Sequence, residues 1–154
     1  MAKLPKKVHK AVDLLISLSV YYILAVFAHE AFHYIACKAL GGDGYITFPG
    51  IIAGYFHPAA LPPHSWVVGL AGGLGAGLLM LLLWWRARTT PTAWDLDEEF
   101  ACALVGSTQI GYAIFEAFIF AKPHIYALWP AGVVCAAMGV TFAYFGKIAR
   151  WMRR

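Results

Sequence analysis

The chain has 154 residues, the size of one domain, yet 61% of them are hydrophobic and 13% charged, against roughly 45–50% apolar and about 25% charged residues in soluble domains. A soluble globule of this length has too little interior for so much apolar surface, and with a mean hydropathy of +0.66 the class is integral membrane protein, which excludes cytosolic enzymes, disordered tails and nucleic-acid modules. The net charge of +4 resides in Lys and Arg placed almost wholly at the ends of apolar runs, which is lipid headgroup and topology chemistry rather than a stripe for nucleic acid.

A membrane-crossing helix needs about 20 consecutive, mostly apolar residues, and four stretches qualify: 11–40, 65–86, 99–121 and 125–148. They predict an all-α integral membrane protein, a single transmembrane domain over 1–154 with four transmembrane helices and a short β-hairpin-like loop between the first two. The first span follows the basic MAKLPKKVHK and ends at Gly41-Gly42, where glycine takes the left-handed conformation that closes a helix. A cleaved signal peptide over the basic start and residues 11–28 is the competing reading. Against it, the apolar stretch continues without a clean small-residue cleavage site.

The segment GDGYITFPGIIAGYFHPAALPPH that follows is too broken for a helix and too apolar for an ordinary exposed loop. Residues 45–48 and 51–56 read as short strands around Pro49-Gly50, and at membrane depth their backbone groups must pair within a hairpin or against other protein. The second span carries GLAGGLGAG at 69–77, small residues that let another helix approach closely. The one hydrophilic linker, RARTTPTAWDLDEE, offers Thr90, Asp95 and Asp97 as turn or N-cap residues before the third span. Trp66, Trp84, Trp85, Trp94 and Trp129 fall near span ends, as aromatic belts do. Cys37, Cys102 and Cys135 lie inside apolar runs without paired spacing, so neither a disulfide framework nor a cysteine zinc site is indicated.

Lys3, Lys6, Lys7, Lys10, Arg86, Arg88, Lys147, Arg150, Arg153 and Arg154 flank the spans on one side, with only Lys38 and Lys122 on the other. The positive-inside rule then places both termini in the cytoplasm of a multi-pass protein.

Residues 29–33 read His29-Glu30-Ala31-Phe32-His33, an HExxH pattern inside a segment that should be helical. At these frequencies of His and Glu, chance produces the pattern about 0.005 times in such a chain, so the signal is specific. Histidines four residues apart share a helix face and can hold one metal ion, and Glu30 is placed to take a proton from a water on that metal. Three ionisable groups buried in one span and satisfied only by hydrogen bonds is the structural alternative, but such groups are costly in a membrane and usually functional.

A catalytic zinc needs three protein ligands. Candidates for the third are Glu116, His57, His64, His124 and the acids Asp95, Asp97, Glu98 and Glu99. Depth selects among them, because at 1.5 Å per residue His29 lies roughly 28 Å beyond Lys10 and Glu116 roughly 26 Å beyond Glu99, on spans running the same way. Glu116 is therefore the expected third ligand, with His57 or His64 next, and the linker acids are expected to form a solvated cluster favourable to the helix dipole. Thr108 and Tyr112 precede Glu116 at spacings of four, a polar stripe on one face that either supports the metal or meets substrate. His57, His64 and Tyr112 are the candidate substrate-binding residues.

Taken together, HEAFH late in a long apolar helix, a Gly-rich loop able to form a membrane-dipping hairpin, the run GLAGGLGAG and a carboxylate in the third helix resemble the site-2 protease type of membrane-embedded zinc metalloprotease. The resemblance covers about residues 11–121, and only its first motif is sharply specific. It implies that His29 and His33 are zinc ligands, that Glu30 is the base, and that Glu116 stands where the family has an aspartate of an Asp-Gly pair. The chain departs from the family in having Gly72-Gly73 for Gly-Pro and IFEAF for the Asp-Gly region. Expected partners are membrane lipids and a membrane-anchored protein substrate, with no nucleic acid. Two other readings stand beside the peptidase: a non-proteolytic metal-binding or structural subunit of a larger membrane complex, and an ion transporter, for which spans two and four carry few polar residues.

Overall fold

The computed structural model describes the backbone of residues 5–90, 96–121 and 129–151, and the side chains of these except 118–132 and 135. The described residues form α1 (Lys6–Ala39), β1 (Asp43–Thr47), β2 (Tyr55–Ala60), α2 (Ser65–Thr89), α3 (Leu96–Ala121) and α4 (Trp129–Trp151). Three of the helices, α1, α2 and the Leu96–Ala117 part of α3, are long and apolar enough to cross a membrane. Helix α4 fills most of the fourth predicted span, whose residues 125–128 lie outside the described ones, as do Asp95 and His124.

These helices are apolar around their whole circumference, the pattern of a segment surrounded by protein and lipid rather than water. Leu15, Ile16, Leu82, Trp85, Phe142 and Phe145 face outward, while the buried side chains of the bundle include many small residues and the polar His29, Glu30, His33 and Asp97. Small residues are what allow α2 and α3 to touch. A Cβ built on Gly73 would lie 2.6 Å from the Gln109 carbonyl oxygen, and one on Gly77 would lie 2.9 Å from that of Gly106, so the expected role of the 69–77 run is realised against α3. Tyr21, Ala25, Met80, Ala101, Cys102 and Val105 fill the centre where α1, α2 and α3 meet.

Helix α1 stops where the glycines predict. Gly41 takes φ +82°, and the Gly42 amide donates back to the Cys37 carbonyl at 2.9 Å, closing the last turn. The hairpin that follows is antiparallel, with Thr47 opposite Tyr55 and Gly44 opposite Pro58. Its second strand lies four residues later than the sequence suggests, at Tyr55–Ala60 instead of 51–56. The reason is physical: in a two-stranded sheet both strands are edges, so Pro58 can turn its missing N–H outward, and the freed residues 48–54 form a broad loop that folds back onto α1. Phe48 meets Phe27 with ring centroids 4.5 Å apart.

At the opposite end the acids of α3 are paired rather than solvated, which corrects the expectation for this cluster. Asp97 is 8% exposed and accepts a hydrogen bond from the Ser17 hydroxyl at 2.8 Å. Glu99 accepts one from Tyr144 at 2.8 Å and meets Lys147 at 3.4 Å, while the Trp84 indole donates to the Tyr144 oxygen at 2.7 Å. These bonds clamp α1, α2 and α4 onto the start of α3.

Candidate metal centre

His29, Glu30 and His33 are buried on α1, and the two imidazoles meet edge to face with centroids 4.5 Å apart. Their Nδ1 atoms each have an oxygen partner: Gln109 Oε1 at 2.9 Å from His29 and the Val68 carbonyl at 2.6 Å from His33. Since those oxygens accept, each Nδ1 carries a proton, which leaves each Nε2 as the position for a metal ion or a second proton. The two Nε2 atoms face one another at 2.9 Å. Glu116 completes the group from α3, its Oε2 3.1 Å from His29 Nε2 and its Oε1 3.2 Å from His33 Nε2.

Nitrogens and carboxylate oxygens brought this close in a low-dielectric interior repel unless a metal cation or a proton lies among them. Glu116 Oε2 is buried and has no aligned hydrogen-bond donor among the described residues, although it stands at ion-pair distance from His29. The donor set also fits by size. Ligands held about 2.1 Å from a tetrahedral metal stand about 3.4 Å from one another; the two Nε2 atoms are 2.9 Å apart, each with a different Glu116 oxygen at 3.1 or 3.2 Å, and one ligand atom from each residue lies within 4.8 Å of the others. His29, His33 and Glu116 could therefore hold a metal ion.

Packing from α2 places His33. A side chain at Gly72 would overlap the His33 ring, and Gly72 lies one turn beyond Val68, on the face whose carbonyl receives the ring proton. Glu30, one residue past a ligand, turns toward the hairpin loop. A Cβ at Gly54 would come within 2.5 Å of its Cγ, so the glycine leaves the space that Glu30 occupies. Together these groups border a cavity of about 660 Å³, lined also by Tyr22, Thr108, Gln109, Tyr112 and loop residues 52–56. Phe56 stacks beside His33 at 6.0 Å, and Tyr112 lies 5.5 Å from His29.

Of the candidates named from sequence, the structure brings together His29, Glu30, His33, Glu116, Thr108 and Tyr112. It separates His57 and His64 from them. His57 is exposed on the outer face of the hairpin, bonded to Thr47 Oγ1 at 2.8 Å and stacked on Tyr45, because strand alternation that turns Phe56 inward turns its neighbour out. His64 is exposed and left-handed at φ 68°, just before α2, and does not border the cavity. Asp97 and Glu99 are at the other end of the bundle.

Gln109 and the Val68 carbonyl, which fix the two ring orientations, were not singled out from sequence. Gln109 left a signal, being a polar residue seven positions, or two turns, before Glu116 on the same helix face. A backbone carbonyl leaves none. Compared with known proteins, the chain matches no family model, no curated protein and no solved structure, so the site is read on its own geometry.

Proposed function

We propose that the protein is an intramembrane zinc metallopeptidase of the site-2 protease type, hydrolysing peptide bonds of membrane-anchored substrates. The observation that carries this reading is the convergence of two imidazole Nε2 atoms and one carboxylate, with a second carboxylate, Glu30, beside them at the wall of the same cavity. Zinc bound there supplies Lewis acidity, polarising a carbonyl and lowering the pKa of a ligated water toward about 7. The protein's own share is orientation and proton handling. Gln109 and Val68 hold the ring protons on the Nδ1 atoms and leave the Nε2 atoms to the metal, while Glu30 receives a proton on its carboxylate and can return it to the departing amine. His29, Glu30 and His33 are buried, so their charges act in a medium of lower dielectric than water. In this proposal the chain crosses the membrane four times with both termini in the cytoplasm, in keeping with the basic residues at one end of the spans.

Glu30→Gln keeps size and hydrogen bonding but removes the base. In the purified variant zinc should remain near one per chain, while cleavage of a reporter membrane peptide should fall by about 10² or more. His29→Ala should lose the zinc. Glu30→Gln that cleaves at the wild-type rate would remove Glu30 as the base, and a zinc-loaded wild type that cleaves none of a broad panel of membrane peptides would favour the non-proteolytic subunit.

A further inference from the structure

Helices α1 and α4 both flank α3, yet among the described residues their backbones do not approach one another. They are joined at one end only, where the Lys10 ammonium donates to the Trp151 carbonyl and lies 5.1 Å from its ring centroid, and where Leu14 packs against Phe100 and Tyr144. Between α1 and α4 opens a second cavity of about 390 Å³, walled by Leu18 of α1, Leu104 and Val105 of α3 and Ala137 of α4. It adjoins the metal cavity, and Tyr22 and Thr108 border both.

We propose that this cleft between α1 and α4 is a binding site for one acyl chain of an anionic phospholipid. Three observations select that occupant. The first is chemical. The cleft has little hydrogen-bonding capacity, since its Thr108 and Ser19 hydroxyls already donate to the Val105 and Leu15 carbonyls at 2.8 Å and its other polar group is the Tyr22 hydroxyl at the border with the metal cavity. An extended peptide there would leave its amides unpaired at membrane depth, whereas a run of methylenes has nothing to satisfy. The second is depth. Leu18 and Tyr22 lie about 12 and 18 Å along α1 from Lys10, bracketing the roughly 15 Å half-thickness of a hydrocarbon core. The cleft thus receives the distal part of a chain whose headgroup stands at the level of Lys10. The third is charge. Lys6, Lys7 and Lys10 begin α1, Arg86 and Arg88 end α2, and Lys147 and Arg150 end α4 at this end of the bundle, against the carboxylates Asp13, Asp97, Glu98 and Glu99, of which Glu99 pairs with Lys147, so basic groups outnumber acidic ones. The rim is basic and suits a phosphate. A chain seated in the cleft closes the metal cavity on the α4 side and leaves the hairpin side open.

The test uses the full chain in phosphatidylglycerol vesicles containing a small fraction of lipid with a photoactivatable group at the chain terminus. After irradiation, label should concentrate on 18–22, 104–108 and Ala137, above the level at the outward-facing Leu78 and Leu82. Ala137→Trp should lower labelling of the α1 and α3 segments about tenfold. Leu104→Trp fills the cleft from the opposite wall and serves if the first variant does not fold, while Phe142→Ala, on the exposed face, should change nothing. Phosphatidylcholine vesicles should give weaker labelling. Cleft labelling no higher than at Leu78 and Leu82, insensitivity to whichever filling variant folds, or equal labelling from the two lipids would overturn the proposal. The readout involves neither hydrolysis nor zinc, so its failure leaves the peptidase reading to its own test.

Discussion

His29 and His33 act as a pair because each ring is held from behind. Gln109 Oε1 and the Val68 carbonyl occupy the Nδ1 atoms, which turns the two Nε2 atoms toward Glu116. Partners of this kind typically contribute 10- to 100-fold in metal affinity. Gln109→Leu should therefore weaken zinc binding by about 10- to 100-fold in competition with a chelator, while Gln109→Glu, which still accepts the ring proton, should retain it. Equal affinity in Gln109→Leu and wild type would remove the residue from the site. Much of this centre is legible in the sequence, since the i, i+4 histidines share a face on any helix and the depth of Glu116 follows from helix rise. What escapes is the support. Val68 contributes through its backbone, and His57 has the composition of a ligand but the strand parity of an outward residue.

At the scale of the elements, glycines decide how near the helices come. Gly72 is the sharpest case, because a side chain there would enter the His33 ring although alanine favours an isolated helix by about 1 kcal/mol. Gly72→Ala should keep its helical circular dichroism and lose most of its zinc. Gly139→Ala, at a position with no atom within 4 Å of the added carbon, should keep both. Wild-type zinc content in Gly72→Ala would mean that His33 is not positioned by this contact. The four helices and the Gly41-Gly42 stop were readable from hydropathy and turn chemistry. The strand limits were not, because both 51–56 and 55–60 carry strand-forming residues, and what decides between them is the fold-back of the 48–54 loop onto Phe27 and Glu30, a tertiary contact with no local signature.

For the whole molecule, the end-to-end arrangement converts a charge count into a testable orientation. Bonds between Ser17 and Asp97, Trp84 and Tyr144, and Lys10 and Trp151 bring the start of α1, the end of α2, the start of α3 and the end of α4 to one end of the bundle. Among the described residues, Lys6, Lys7, Lys10, Arg86, Arg88, Lys147 and Arg150 therefore lie at one end, opposite Lys38, Asp43 and the hairpin. In the proposed orientation positive-inside bias would put that end in the cytoplasm and the candidate metal centre, about 28 Å along α1 from Lys10, toward the outer leaflet. Cysteines introduced in turn at Lys6, Arg150 and Asp43 of a Cys135→Ser variant can be probed with an impermeant thiol reagent on intact cells, the native Cys37 and Cys102 being buried. Protection at positions 6 and 150 with labelling at 43 is expected. Labelling at 150 together with 43 would mean that α4 does not cross. Labelling at 6 and 150 with protection at 43 would invert the molecule and bring the metal centre to the cytosolic side.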